Sequence, residues 1–335
     1  MDFEQLSNNA ITRAYNQLNT YRVILPGNNG PYREVETPTR NCSHFYILTS
    51  KFRNFNSEAK IVNENLEEYL FSDFKKFISD GYFARFPTNK DRHNGVIGIS
   101  WFLEAYFLHC EQSQKLPLKD LQEIDGLLND YEWKNLRTSC AFENKKLKLV
   151  DVTPNHIIYL LYIKLYLKKL LKRDCSEIEM QIDKTINNLT IYKNGIINIG
   201  FVSGSKFKNL VKTIYYKIQK RSIYNKSVGY HVFTLWILSR IFQLLNKKLD
   251  KRLPAKSFDI LYTKEFYQDL EHNIYGYFYN PPGIEIPNLS TYVDIASAPV
   301  KRILERQIQV YSNISNELRV HDKNTLLARL YENYI

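Results

Sequence analysis

Residues 96–111 read VIGISWFLEAYFLHCE, residues 156–171 HIIYLLYIKLYLKKLL and residues 229–245 GYHVFTLWILSRIFQLL. Each is apolar almost all round, and a helix of that kind is buried on most of its sides. Segments of another kind lie between and around them. Residues 61–79, 118–131, 176–189 and 257–273 each carry one apolar stripe and one charged face. In the first of these, Val62, Leu66, Tyr69, Leu70, Phe74, Phe77 and Ile78 recur mostly at steps of three and four, the period of a helix with one side in a core. The two kinds tend to alternate along the chain. A plain up-and-down bundle needs no such alternation, whereas two concentric layers of helices do. The pattern predicts an all-α chain folded as an α/α toroid of helical hairpins, with inner helices at 96–111, 156–171 and 229–245. A stacked solenoid would show a fixed repeat period, and the spacing between the buried helices is irregular.

About twelve helices are expected in all, the first over 3–19 and the second over 44–57, with further ones at 206–221, 290–315 and 323–334. Two segments, 142–152 and 190–202, partly alternate apolar and polar residues and read as small β excursions. The second contains Asn194-Gly195, a strong hairpin-turn signal. No linker rich in Gly, Ser or Pro and no step in composition divides the chain. A single domain is expected over residues 1–335, with 1–43 as an N-terminal arm.

Composition agrees with a helical globular protein. Only 12 Gly and 11 Pro occur among 335 residues, well below the roughly 12% of average usage, so a turn-rich β sandwich is disfavoured. Apolar residues at 44% are enough to build a core. The formal net charge is +11, which suits an anionic partner such as nucleic acid, anionic lipid or an acidic substrate. It equally suits the drift of a chain rich in Lys, Asn, Ile and Tyr. The four cysteines, at 42, 110, 140 and 175, have no C-x-x-C pair and no zinc spacing. No apolar run is long enough to span a membrane, and the N-terminus does not read as a signal peptide. A reducing cytoplasm is the expected location.

Three segments gather side chains that could do chemistry. Asp91-Arg92-His93-Asn94-Gly95 sets an acid, a guanidinium, an imidazole and an amide before the first buried helix. That helix carries Trp101 and Glu104, three apart and so on one face. An acid in an apolar helix is costly unless paired, and burial would raise its pKa toward the range of a general acid. A structural ion pair with Arg92 or Arg40 is the competing reading. The second segment is Gly276–Pro287. There Pro281, Pro282, Gly283 and Pro287 fix an irregular, extended loop flanked by aromatics at 275, 277 and 279, with Tyr279, Asn280 and Glu285 available to a sugar. The third runs from Pro26 through Arg40 and Asn41 to His44. His156 and His231, with Tyr230 beside the latter, open the other two buried helices. Phosphate-binding loops, dinucleotide fingerprints, nucleophile elbows and H-E-x-x-H are all absent. No cofactor and no metal is expected.

Three strings carry a resemblance: N-G-P-Y with E-T-P-T-R-N and His44 after it, H-N-G-V-I-G-I-S-W-F-L-E-A, and Y-N-P-P-G-I-E-I-P. With the double layer of helices, they make the chain look like the six-hairpin glycosidase-like (α/α)6 superfamily of unsaturated glucuronyl hydrolases, sugar epimerases and polysaccharide lyases. The resemblance spans much of the chain without a catalytic motif that matches residue by residue. It implies a pocket for a sugar or oligosaccharide, with an anionic uronate as a candidate. The working assignment makes Glu104 or Asp91 the proton donor, with His93 or His231 assisting. Arg40 or Arg92 would hold a carboxylate, and Trp101 and Tyr230 would stack on rings. Asn41, His44, Asn94, His156, Tyr279, Asn280 and Glu285 complete the substrate-binding set. A non-catalytic helical scaffold or nucleic-acid-binding protein is one alternative. A toroid-type cyclase or transferase is another.

Overall fold

The computed structural model describes the chain except residues 1, 29, 33–35, 73–93, 114–115, 130–132, 135–136, 144–145, 152, 201–221, 317–321 and 335. The protein is mostly helical, as the periodicity predicts. The three apolar stretches form α4 (Ile97–Gln112), α6 (Pro154–Leu170) and α8 (Ile223–Leu244), buried nearly all round. A fourth helix is buried as completely. It is α2, Pro38–Phe52, in which every residue from Arg40 to Ser50 is shielded from solvent. The sequence reading starts this helix at residue 44. Thr37-Pro38 starts it earlier, since proline suits the first helical turn.

Outer helices cover these. They are α1 (Phe3–Tyr21), α3 (Ser57–Phe71), α5 (Leu118–Asn129), α7 (Ser176–Asn187), α10 (Lys264–Glu271) and α12 (Ala298–Ser312), each with a single buried stripe. Asp2, Asn56 and Thr263 cap α1, α3 and α10 through their side-chain oxygens, satisfying amides that a helix start leaves open. The predicted helix 257–273 is interrupted at Thr263, which closes a short helix α9 (Lys256–Asp259) and a 3-10 turn before it caps α10. The predicted helix 290–315 begins only at Ala298, where Pro299 occupies the first turn. Two short helices complete the set: α11 (Pro282–Glu285) and α13 (Lys323–Ala328), which runs into a 3-10 turn over Arg329–Asn333.

Neighbouring helices follow an order. α2 packs on α4, α4 on α6, α6 on α8, α8 on α11, α11 on the 329–333 turn, and that turn on α2 again. Outside them, α3 lies on α2, α5 and α7 on α6, α10 on α8 and α12 on α11. α1 lies against both α3 and α12, with Leu6, Ala10, Ile11, Ala14 and Leu18 buried. Residues 1–43 therefore contribute a packed outer helix to the body. The helix α8 approaches its neighbour closely at Gly229, where a β-carbon would sit 2.3 Å from the Tyr275 carbonyl oxygen.

Both β excursions appear. Strands β1 (Trp133–Lys134), β2 (Arg137–Glu143) and β3 (Lys146–Asp151) form an antiparallel sheet in the order β1-β2-β3, with Cys140 opposite Leu149. At 190–202 a single bridge joins Ile191 to Ile197 across the Asn194-Gly195 turn, and Gly195 adopts φ 101°, a region open to glycine. The predicted helix 206–221 and the Asp91-Arg92-His93 part of the first candidate segment lie outside the described residues. No helix among the described residues is long and apolar enough to cross a membrane.

Candidate functional site

The first turns of α2 face inward. Arg40 is buried and reaches back one turn to Glu36 at 2.8 Å. Burial alone would weaken its charge, but the Glu36 carboxylate holds its pKa above the usual arginine value. The guanidinium lies 4.1 Å over the Trp101 ring, a cation–π contact. Trp101 thus has one face already covered, and Arg40 already has its carboxylate. Asn41 donates to the Leu25 carbonyl at 3.1 Å.

One turn further along, His44 is 1% exposed. Its ring stands 5.6 Å from Trp101 and 4.5 Å from Tyr331, between centroids. Neither imidazole nitrogen has a hydrogen-bond partner among the described residues. Burial, together with the positive charges of Arg40 and Arg329, pushes its pKa well below the usual histidine value. His44 is a neutral ring offering one donor and one acceptor.

Arg329 forms the opposite wall. It binds Glu332 at 2.7 Å, Glu285 at 2.7 Å, the Asn280 side-chain oxygen at 2.7 Å and the Tyr279 carbonyl at 3.1 Å. Burial raises the pKa of Glu285 well above the carboxylate range, with Arg329 opposing and Glu332 adding to the shift. Glu332 is raised for the same first reason. One oxygen of each carboxyl is buried without a partner among the described residues. Tyr230 donates to the Tyr279 hydroxyl at 3.0 Å. Gly30 (φ 47°) lies so close to the Tyr279 ring that a β-carbon would sit 2.1 Å from it, which brings the Pro26–Tyr32 segment onto the Gly276–Pro287 segment. The prolines of the latter start α11 instead of an extended loop.

Glu104 lies deeper. Arg240 and Tyr159 both donate to its carboxylate, and Arg240 also donates to Tyr162. Tyr159 in turn meets the Tyr331 hydroxyl at 3.3 Å. Glu104 is thus half of a buried ion pair whose partner is Arg240 and not Arg40, which is on Glu36; Arg92 lies outside the described residues.

Two of the predicted histidines have their partners outside this set. His156 lies 2.8 Å from Asp151, beside the Asn94-Gly95 turn that precedes α4. His231 is braced between main-chain groups: Nδ1 accepts from the Ile197 amide at 3.2 Å and Nε2 donates to the Ser257 carbonyl at 2.9 Å. With both nitrogens engaged it has no proton to exchange, and among the described residues none of its hydrogen-bond or ring partners is also a partner of His44. It ties the 191–197 hairpin to α8 and α9.

Burial depresses the His231 pKa to about 4, and the sign of the consequence follows. The unfolded ring, at 6.5, takes up a proton before the folded one does. Stability from this group is therefore complete above about pH 6.5 and drains as the pH falls toward 4. His231→Gln can keep an acceptor and a donor without titrating. The stability gap between wild type and variant, measured by urea unfolding, is expected to narrow by about 2.5 kcal/mol between pH 7 and pH 4.5.

The inner set is therefore Arg40, Asn41, His44, Trp101, Glu104, Tyr230, Tyr279, Asn280 and Glu285, joined by Glu36, Tyr159, Arg240, Arg329, Tyr331 and Glu332. Glu36 four residues before Arg40, and Arg329 three before Glu332, are spacings visible in the sequence. The pairing of Arg329 with Glu285 is not. Among the described residues no group of three or more His, Cys, Asp or Glu side chains is placed to hold a metal ion. A separate groove of about 630 Å³ lies on the outside near Asn194, Tyr224, Asp259 and Asp269.

No protein-family model matches the chain, and no solved structure matches it. Among curated proteins, it is similar to a protein of Haloferax volcanii named archaeal glycosylation protein Q, with 24% identity covering 91% of this chain and 90% of that protein.

Proposed function

We propose that the chain is a carbohydrate-active enzyme built as an (α/α)6 toroid, acting on a glycan by proton transfer as a hydrolase, lyase or epimerase. The observation that carries this reading is the set of buried side-chain atoms around one centre that have no hydrogen-bond partner among the described residues: both nitrogens of His44, Asn41 Oδ1, and one oxygen each of Glu285 and Glu332. A buried polar atom without a partner costs roughly 1–3 kcal/mol. Five of them, with the rings of Trp101 and Tyr331 beside His44, are the equipment of a site that waits for hydroxyl groups. The return of the inner helix order to α2 supports the toroid, and the name of the haloarchaeal relative supports a glycan as the substrate.

The proposal departs from the sequence reading on recognition. Arg40 is neutralised by Glu36 and each described inner carboxylate is matched to an arginine, so this part of the centre reads hydroxyls and not a carboxylate. The test is a panel of 4-nitrophenyl glycosides and Δ4,5-unsaturated glucuronyl disaccharides, followed by thermal shift and product mass. A binding sugar at 100 times its Kd stabilises the fold by about 2.7 kcal/mol, and His44→Phe is expected to abolish that shift while the apo protein still folds. A flat response across the panel, with a salt-dependent gel shift on DNA or RNA, would replace this reading by nucleic-acid binding.

A further inference from the structure

Asp151 ends β3 and is held from three directions. Its carboxylate accepts from the Thr153 amide at 2.9 Å, from the Val96 amide at 3.2 Å and from His156 Nδ1 at 2.8 Å. Gly95 (φ 65°) passes so near that a β-carbon there would sit 2.1 Å from Asp151 Oδ2, so no other side chain fits between them. Burial alone would raise the pKa of Asp151. The histidine and the two amides outweigh it and hold the carboxyl at about 2. An ionised carboxylate has only acceptors, so Nδ1 of His156 carries a hydrogen, and in the neutral ring the lone pair is then on Nε2.

His156 is the outer end of this arrangement. Its side chain is 19% exposed, and no hydrogen bond to Nε2 occurs among the described residues. Next to it in the chain, Asn155 is fully buried, and neither atom of its amide has a partner among the described residues. Asn155 stands one helical turn before Tyr159 and so on the same face of α6, the face that meets Glu104 and Tyr331. An amide without a partner among the described residues and an imidazole nitrogen without one thus follow each other at the start of α6, one turn before Tyr159.

The other described candidates for a base are spent. Glu36 is on Arg40, Glu104 on Arg240, and Glu285 and Glu332 are both on Arg329. His44 is kept neutral by two flanking arginines, so it can read a hydroxyl but is a poor acceptor of a proton. His156 instead has a carboxylate, that of Asp151, behind its Nδ1.

We infer that Asp151 and His156 form a general-base dyad at the mouth of the site, with His156 Nε2 taking a proton from an O–H of the bound glycan. This rests on the glycan reading above. In the step the O–H bond breaks, an Nε2–H bond forms, and the electron pair stays on the oxygen. The imidazolium charge is balanced by Asp151, which keeps its own charge throughout. Asn155 holds the ring from which the proton leaves.

The experiment uses the full chain with ¹⁵N-labelled histidine and the same sugar panel. In the free protein the His156 resonances are expected to report hydrogen on Nδ1 and none on Nε2. In Asp151→Asn the amide can donate, and the proton should move to Nε2. A sugar that raises the melting temperature should shift the His156 ring signals and leave those of His231 in place. On a sugar that is turned over, His156→Gln and Asp151→Asn should each lower kcat by about 10²-fold or more, with KM changed far less. A sugar that stabilises the protein or is turned over, yet leaves the His156 signals unmoved or the His156→Gln kcat intact, overturns the dyad while the glycan reading stands. If no sugar in the panel binds or reacts, the glycan reading fails and takes the dyad with it. Should His156→Gln not fold, the wild-type signals decide alone.

Discussion

Arg329→Met is expected to cost roughly 3–5 kcal/mol of folding stability, read as a fall in the urea midpoint with an unchanged slope. The size comes from what the substitution leaves behind. Arg329 is 4% exposed and bonds two carboxylates, Glu285 and Glu332, each exposed by 1% or less. Methionine fills the space of the stem but leaves two buried charges facing each other. Burial already raises both carboxyl pKa values with the arginine present, and without it they rise further. The folded state then holds protons that the unfolded chain, with carboxyls near 4.5, releases. A raised folded pKa stabilises below the unfolded value and stops doing so as the pH climbs through the folded one. The variant should therefore recover much of its loss on acidification from pH 7 toward about 4.5. Arg329→Met combined with Glu285→Gln and Glu332→Gln should recover most of it at pH 7, because no buried charge remains. A single variant that unfolds at the wild-type midpoint at pH 7 would show that this centre is open to solvent.

Where burial and apolarity coincide, the sequence is a good guide. α4, α6 and α8 are legible because their polar residues are too few to form an outer face. The Asn194-Gly195 turn is legible because its dipeptide has few alternatives to the turn it makes. α2 is not legible. Its inward surface is made of Arg40, Asn41, Ser43, His44, Thr49 and Ser50, all of which a hydrophobic period counts as outside. They are buried because their partners come from other elements: Glu36 before the helix, and Asn63 of α3, which donates to the Tyr46 carbonyl and Thr49 at 3.0 Å. The same difficulty divides the site. His44, Glu104 and Glu285 announce themselves as odd residues in apolar or proline-rich surroundings. Arg329 and Glu332, in a C-terminal stretch reading LLARLYENY, look like the charged face of a last helix. Only the fold shows that this stretch turns inward and packs on α2. His231 shows the converse. It has the position and flanking residues of a site histidine, yet its two nitrogens serve main-chain groups more than 25 residues apart from it in sequence.

Glu104→Gln separates a catalytic from a structural carboxylate. For a pocket acid, the amide would preserve shape and fold, and activity alone would fall. In the structure the carboxylate instead accepts from Arg240 and Tyr159, and it is 2% exposed. Arg240 is also buried. Its charge lies 4.3 Å over Tyr162 and 5.0 Å over Trp236, and Glu104 raises its pKa against the effect of burial. Glutamine still offers one oxygen to Arg240, but it supplies no charge. The guanidinium is left uncompensated where water cannot reach it, and the expected loss is roughly 3–5 kcal/mol. Arg240→Met should cost as much, for the mirror-image reason. The double variant Glu104→Met with Arg240→Met removes both charges and fills the space with apolar atoms, and such replacements are often neutral or stabilising. A double-mutant cycle on urea midpoints should therefore show strong coupling, the double variant being more stable than either single one. Tyr159 then loses its acceptor, but it keeps the Tyr331 hydroxyl at 3.3 Å, so its own penalty is partly met. If Glu104→Gln melts within a few degrees of wild type, the ion pair is not what holds this centre. The carboxylate would then return as a candidate for the proton donor.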